Sequence, residues 1–305
     1  MMPTPDPLVS IVIIFLNAER FLEQAVASVF RQTYLHWELF LVDDGSTDAS
    51  ARQAQRFATE RSGQVKYLTH PGRQNRGMSA SRNLGIRHAA GDLIALLDAD
   101  DEWVADKLAR QVAMMTAYPE AAMLYGPALY WHEDDPKRDF VQATGFSVST
   151  SCPPLTLATK FLCDSAGTPG TSGMLLRAEI VRHLGGFVDD FRSMYEDQAF
   201  CFKLAVQTTI VAAPECWYRY RQHAGSCCSI AFAKGDDRAA RRRYLDWCTR
   251  YLDTLRIVDP ELRAVLGGER RAASRGRHAV RAARRHAGRL LPRSVRAWLQ
   301  GNRCE

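Results

Sequence analysis

Asp98, Asp100, Asp101 and Glu102 crowd into five residues directly after the apolar run Leu93 to Leu97. An apolar run that breaks into clustered acids has the form of a buried strand surfacing at a polar site. Three aspartates packed at one strand end repel one another unless a cation neutralises them. A hard divalent ion with oxygen ligands suits that place, and Mg2+ or Mn2+ commonly arrives carrying substrate phosphates. The plainer reading is a solvated acidic turn after a core strand. This segment alone leaves both open.

Two further strand ends carry polar residues of the same kind. Ser10 to Phe15 is a continuous apolar, β-branched run followed by Asn17, and Trp37 to Val42 runs into Asp43-Asp44-Gly45-Ser46. Helical periodicity over Glu19–Gln32, Ala51–Thr59, Ser79–Ala89 and Asp106–Tyr118 separates these strands from one another and from a short one at Val65–Leu68. Thr47 and Asp48 are candidate N-caps for the second helix. The alternation predicts an α/β fold with a right-handed, mostly parallel sheet flanked by helices. Open sheets of that class bind ligands at the carboxyl ends of their strands, where all three polar clusters fall. From Ala122 the pattern predicts strands at Ala122–Tyr125, Phe140–Ala143, Met174–Leu176 and Thr209–Ala212, with helices over Glu179–Leu184 and Asp197–Val206. Beyond Ala231 the chain reads as a helical appendage.

Of the 305 residues, 46% are apolar and 24% charged, which suits a water-soluble chain with a full core. No run approaches the ~20 apolar residues of a membrane span, and the first residues lack the form of a secretion signal. Eight cysteines without a C-x-x-C pair read as reduced thiols, which points to the cytoplasm and away from a disulfide framework or a zinc site. The charge is uneven. Residues 270–305 hold eleven arginines and one acid, Glu305, a net of +10 within a total of +6, so the rest sums to −4. Val280, Ala283, Ala287, Leu290, Leu291, Val295, Trp298 and Leu299 fall near one helical face among these arginines. Such a helix suits an anionic membrane surface, docking on the body of the protein, or nucleic acid, the last being the least favoured.

Eight stretches, taken in order, resemble the inverting family-2 glycosyltransferases with the GT-A fold. They are Val9-Ser10-Ile11-Val12-Ile13-Ile14, Val42-Asp43-Asp44-Gly45-Ser46-Thr47-Asp48, Asn75-Arg76-Gly77, Ser81-Arg82-Asn83, Leu97-Asp98-Ala99-Asp100-Asp101, Gly185-Gly186-Phe187, Glu196-Asp197 and Tyr220-Arg221-Gln222-His223-Ala224-Gly225-Ser226. The resemblance covers about residues 8 to 230. Phe15-Leu16-Asn17 departs from the family's proline and aromatic before the asparagine, and Cys227-Cys228-Ser229 is one residue longer than its usual S-x-S.

The resemblance implies a catalytic domain over residues 1–232, its nucleotide-binding half at about 8–118 and its acceptor half at about 119–232, with a helical, arginine-rich extension at 233–305. It places Phe15, Asn17, Asp44, Arg82 and Asp98 at the nucleotide sugar. Asp44 would accept the N3–H of uracil or thymine, and the Arg82 fork would face the diphosphate. Asp100 and His223 would hold the divalent metal, Mg2+ or Mn2+. Asp197 is implied as the base that deprotonates the acceptor hydroxyl, with Glu196 as the neighbour competing for that role. The implied donor is a UDP-sugar, with dTDP-rhamnose next; the implied acceptor is a saccharide or lipid-linked carrier in cell-surface polysaccharide synthesis. The implied setting is the cytoplasm, with peripheral contact to the inner membrane face through residues 270–303.

The glycine-rich stretch Thr168 to Met174 borders the acceptor cleft in this reading and is not a phosphate loop. Trp217 and Tyr218 either stack on a sugar or lie in the core. Two rivals remain. A D-x-D phosphatase is disfavoured because Asp101-Glu102 stand where those enzymes want Thr or Val. A non-catalytic protein that binds sugar nucleotides or membranes on the same fold is the other.

Overall fold

The computed structural model describes residues 6–142, 144, 150–163, 168–192, 194–227, 229–230 and 237–274. Its first half runs β1 (Val9–Phe15), α1 (Leu22–Phe30), β2 (Trp37–Asp43), α2 (Ser50–Glu60), β3 (Val65–Thr69), α3 (Met78–His88) and β4 (Leu93–Asp98). The second adds β5 (Glu102–Trp103), α4 (Lys107–Ala117), β6 (Ala121–Tyr125), β7 (Ala128–Trp131), β8 (Phe140–Gln142), β9 (Thr150–Cys152), α5 (Ala158–Cys163), β10 (Leu175–Arg177), α6 (Ala178–His183), α7 (Glu196–Gln207), β11 (Thr209–Ala212) and β12 (Tyr218–Arg221). Two helices follow, α8 (Asp237–Thr254) and α9 (Pro260–Ser274).

The large sheet has the order β3-β2-β1-β4-β10-β6-β11-β9. Its first four strands are parallel, as the alternation of strands and helices requires. β10 enters antiparallel between β4 and β6. Strand β1 explains why its sequence is apolar throughout. Val12 and Ile14 face one hydrophobic cluster, while Val9, Ile11, Ile13 and Phe15 face the other. Helices α1, α2 and α4 cover the second face, and α3, α5, α6 and α7 the first.

A second sheet of four short strands, β5-β12-β7-β8, stands beside the first. The sequence pattern predicts only one of its members, β8, because strands of two to four residues are too short to display a period. Strand β9 and helix α5 are likewise absent from that pattern. Other boundaries shift for local reasons. Helix α1 starts at Leu22 instead of Glu19, since Asn17 has a left-handed φ of +52° and the Ala18 carbonyl accepts turn bonds from Phe21 and Leu22. At α2 the cap position is Ala49; the Asp48 carboxylate accepts from the Ser50 N–H at 2.9 Å, and the Thr47 N–H donates to Asn17.

Helices α8 and α9 are docked on the body. Tyr244, Leu245, Cys248, Leu252, Leu262 and Leu266 are buried in the same cluster as α5 and α7. No helix among the described residues is long and apolar enough to cross a membrane. The amphipathic helix expected over residues 278–299 lies outside the described residues.

Candidate active site

The turn after β2 is built by Asp43. Its carboxylate is fully buried and accepts the N–H groups of Gly45 (3.2 Å) and Ser46 (2.7 Å) and the Tyr67 hydroxyl (2.8 Å). Gly45 has φ +91°, and a Cβ there would lie 2.6 Å from the Arg73 carbonyl oxygen, so only glycine lets the loop 70–77 close on this turn. Asp44 completes the closure. Its N–H donates to the Phe15 carbonyl (2.9 Å), and its two carboxylate oxygens accept the N–H groups of Arg76 (2.7 Å) and Gly77 (3.0 Å). Asn17 Oδ1 accepts the Thr47 N–H at 2.8 Å. Asn17, Asp44 and the backbone of Phe15 therefore meet at the carboxyl ends of β1 and β2. The Phe15 ring itself is buried in the core, so its polar part here is the carbonyl.

The three aspartates at and just beyond the end of β4 have separate environments, and the solvated acidic turn is overturned. Asp98 accepts from Arg82 Nη2 and from the Thr171 hydroxyl, each at 2.7 Å. Asp100 Oδ2 lies 2.9 Å from His223 Nε2, and both side chains are partly open to solvent. Asp101 is 1% exposed; it accepts the Ser172 hydroxyl (2.6 Å) and the Arg221 N–H (3.0 Å). Burial, and then the charges of Asp100 and Asp98, push its carboxyl well above the usual range. Repulsion within the cluster is thus relieved in part by an arginine and by hydroxyls.

Arg82 joins this corner to a second pair of acids. Its guanidinium is 3% exposed and reaches Glu196 Oε1 at 3.3 Å as well as Asp98. Burial disfavours its charge, yet Asp98 and Glu196 more than offset that and raise its pKa. The expected contact with a diphosphate would have to come from a side chain already committed to two carboxylates. Glu196 and Asp197 form the first turn of α7. Burial first, then the charge of Asp197, lifts Glu196 to about 7 despite Arg82. Asp197 is raised too, by burial, against the N–H of Gln198 at 2.7 Å and the charge of Arg82.

Several contributors were not assigned a role from sequence. Arg221, 2% exposed, donates to the Asp100 carbonyl (2.8 Å), to Glu133 (2.6 Å) and to Gln24 (2.7 Å), and so fixes the backbone beneath Asp100. Its place two residues before His223 was the available signal. Phe21 packs on the His223 ring at 4.8 Å. Thr171 and Ser172, noted only as bordering the acceptor cleft, hold Asp98 and Asp101 instead, and Trp103 Nε1 anchors their loop at the Ser172 carbonyl (2.8 Å). Trp217 and Tyr218 are core residues, 1% and 2% exposed.

A carboxylate and an imidazole, half open at a strand end, suit Mg2+ or Mn2+ that bring water and phosphate oxygens as their other ligands. Among the described residues no three His, Cys, Asp or Glu side chains gather into a metal cage.

Residues 10–184 match the family model described as glycosyl transferase family 2. The chain belongs to that family. This glycosyltransferase-family chain is 39% identical over 110 residues to the Escherichia coli UDP-Glc:alpha-D-GlcNAc-diphosphoundecaprenol beta-1,3-glucosyltransferase WfgD, a match covering 36% of the chain and 42% of the relative. It is 34% identical over 138 residues to the putative teichuronic acid biosynthesis glycosyltransferase TuaG of Bacillus subtilis, covering 45% and 53%. These matches span about half, or less, of the relatives' own length. Among solved structures, S. aureus TarS 1–349 in complex with UDP-GlcNAc superposes with a TM-score of 0.57 at 17% identity, covering 78% of this chain and 65% of that one. The mannosyltransferase PcManGT of Pyrobaculum calidifontis, in complex with GDP-Man and Mn2+, does so at 0.59 and 20%, covering 98% and 80%. These likenesses establish that the family member has the GT-A fold with additional C-terminal helices.

Proposed function

We propose that this chain transfers a sugar from a nucleoside diphosphate, a UDP-sugar in the first instance, to a hydroxyl of a saccharide or lipid-linked acceptor in polysaccharide synthesis. The observation that carries the reading is the buried link Asp98–Arg82–Glu196, which ties the acids after β4 to the carboxylate pair of α7. The nucleotide belongs at the carboxyl ends of β1 and β2. There Asp44 keeps a second lone pair on each oxygen for the N3–H of a pyrimidine, and Asn17 borders the same rim. Asp100 and His223 would hold Mg2+ or Mn2+, which when bound neutralises charge on the departing diphosphate. Asp98 orders the donor side of the site under the grip of Arg82 and Thr171. Asp197 takes the proton of the acceptor hydroxyl while that oxygen attacks the anomeric carbon from the face opposite the leaving group, so the centre inverts. Glu196 keeps Arg82 in place beside it.

A UDP-sugar is favoured because WfgD is named as a UDP-Glc-dependent glucosyltransferase and TarS is seen with UDP-GlcNAc. The pyrimidine contact admits dTDP-rhamnose equally well. A panel of nucleotide sugars, scored by binding and slow nucleotide release with and without Mn2+, tests the reading. One UDP- or dTDP-sugar should bind in a Mn2+-dependent manner, and Asp100→Ala should weaken that dependence. Donor binding without hydrolysis or transfer over a broad acceptor panel would favour the non-catalytic alternative.

The arginine-rich segment 270–303 extends the proposal. Its concentrated positive charge suits an anionic lipid surface, where a lipid-linked acceptor resides. The expected result is cosedimentation of the chain with anionic vesicles and not with neutral ones; equal partition between the two would remove membrane contact from the reading.

A further inference from the structure

Tyr195, the residue that opens α7, has φ +68° and ψ 9°, the left-handed region. L side chains other than Asn and Asp avoid this conformation unless their surroundings over-determine it. No side-chain cap holds the helix start. Two of its neighbours come from the C-terminal helices. Its ring, 8% exposed, stacks on Tyr244 of α8 with centroids 5.1 Å apart and planes at 14°. The Arg241 guanidinium carbon lies 5.8 Å from the Tyr195 ring and 5.4 Å from that of Tyr244. Arg241 is itself anchored by Glu269 of α9 at 3.0 Å and by the Leu162 carbonyl. Phe191 closes the edge of Tyr244 at 6.4 Å.

We propose that Tyr244 and Arg241 are positioning residues for the Glu196–Asp197 pair, acting through the backbone of Tyr195. The C-terminal helices are then part of the catalytic apparatus. A residue that leaves the left-handed region rotates the peptide that begins α7, and with it the direction in which the next two side chains project. The stack holds Tyr195 in the one conformation that lets Glu196 meet Arg82 and sends Asp197 toward the acceptor side. The inference rests on the reading of Asp197 as the base.

The test compares Tyr244→Phe, Tyr244→Leu and Tyr244→Leu combined with Tyr195→Gly in the full chain. Each is measured for kcat, donor KM, donor binding by calorimetry and thermal unfolding, with Asp197→Asn in the same assay. Tyr244→Phe keeps the stack and should keep kcat. Tyr244→Leu should lower kcat by about tenfold to a hundredfold, the cost of misplacing a catalytic group by roughly 1 Å, while donor affinity stays within about twofold. Glycine adopts positive φ without support, so the double variant should recover most of the lost kcat even though it lacks both rings. A merely structural role for Tyr244 predicts the opposite, a further decline. Unchanged kcat in Tyr244→Leu, or no recovery in a folded double variant, overturns the inference while loss of transfer in Asp197→Asn leaves the base assignment standing. Full transfer by Asp197→Asn sinks both.

Discussion

Replacing Asp197 by asparagine is expected to leave donor binding intact and to remove transfer, with a fall in kcat of about 10²- to 10⁴-fold, the range of a lost general base. The substitution is nearly isosteric and removes the carboxylate's ability to take a proton, together with the charge that helps to raise Glu196. The same pair sets the expected pH profile. Burial raises both carboxyls, the charge of Asp197 helping to lift Glu196 to about 7 and that of Asp98 adding to the rise of Asp197, so the pair holds a proton on the acid side of neutrality. A base must be ionised to work. Transfer should therefore decline as pH falls through the range in which the pair takes up its proton, and level off above that range. Measurement of kcat/KM between pH 5 and 9 checks the profile, and wild-type turnover in the Asn variant would take Asp197 out of the role.

Arg82→Met is expected to destabilise the fold by about 3–5 kcal/mol, the cost of removing one partner from a buried ion pair. The methionine fills similar space, but it leaves Glu196 and Asp98, with side chains 9% and 28% exposed, without their common counter-charge. Urea unfolding reads the loss, and an unchanged midpoint would mean that the link carries no net energy. The sign of the accompanying pH effect is fixed. Arg82 lowers the pKa of both Glu196 and Asp197, so its removal should move the acid limb of any residual activity upward. Arg82→Lys should fall between the two, because an ammonium cannot span two carboxylates as a guanidinium fork does.

The parallel half of the fold was legible because its strands are buried on both faces and separated by amphipathic helices of ordinary length. That pattern also located the carboxyl ends where Asn17, Asp44 and Asp98 stand. The meeting of Asp100 with His223, 123 positions apart, was available only through the family resemblance, since nothing local to either residue specifies the other. The Asp98–Arg82–Glu196 link was hidden for a related reason. Arg82 lies near the start of α3 among serines that read as solvated surface, and the groups that enclose its guanidinium, Asp98, the Phe187 ring at 5.2 Å and Glu196, come from other parts of the chain. Three of the small sheet's four strands went unseen because they are short and draw on Arg221 and aromatic neighbours instead of a periodic apolar face. Tyr218–Arg221 alternates aromatic and arginine, a pattern that periodicity of hydrophobicity passes over.

Only Ala99, Asp100 and Asp101 separate the end of β4 from the start of β5, and the two strands belong to different sheets. The acidic corner is therefore a joint between layers. Asp98 moves with the large layer through β4, whereas Arg221 of β12 grips the backbone of Asp100 and ties it to the small one. The spacing of these two carboxylates works as a gauge of the tilt between layers: whatever leans the small sheet toward or away from its neighbour shifts the Asp100–His223 pair relative to Asp98 and Arg82.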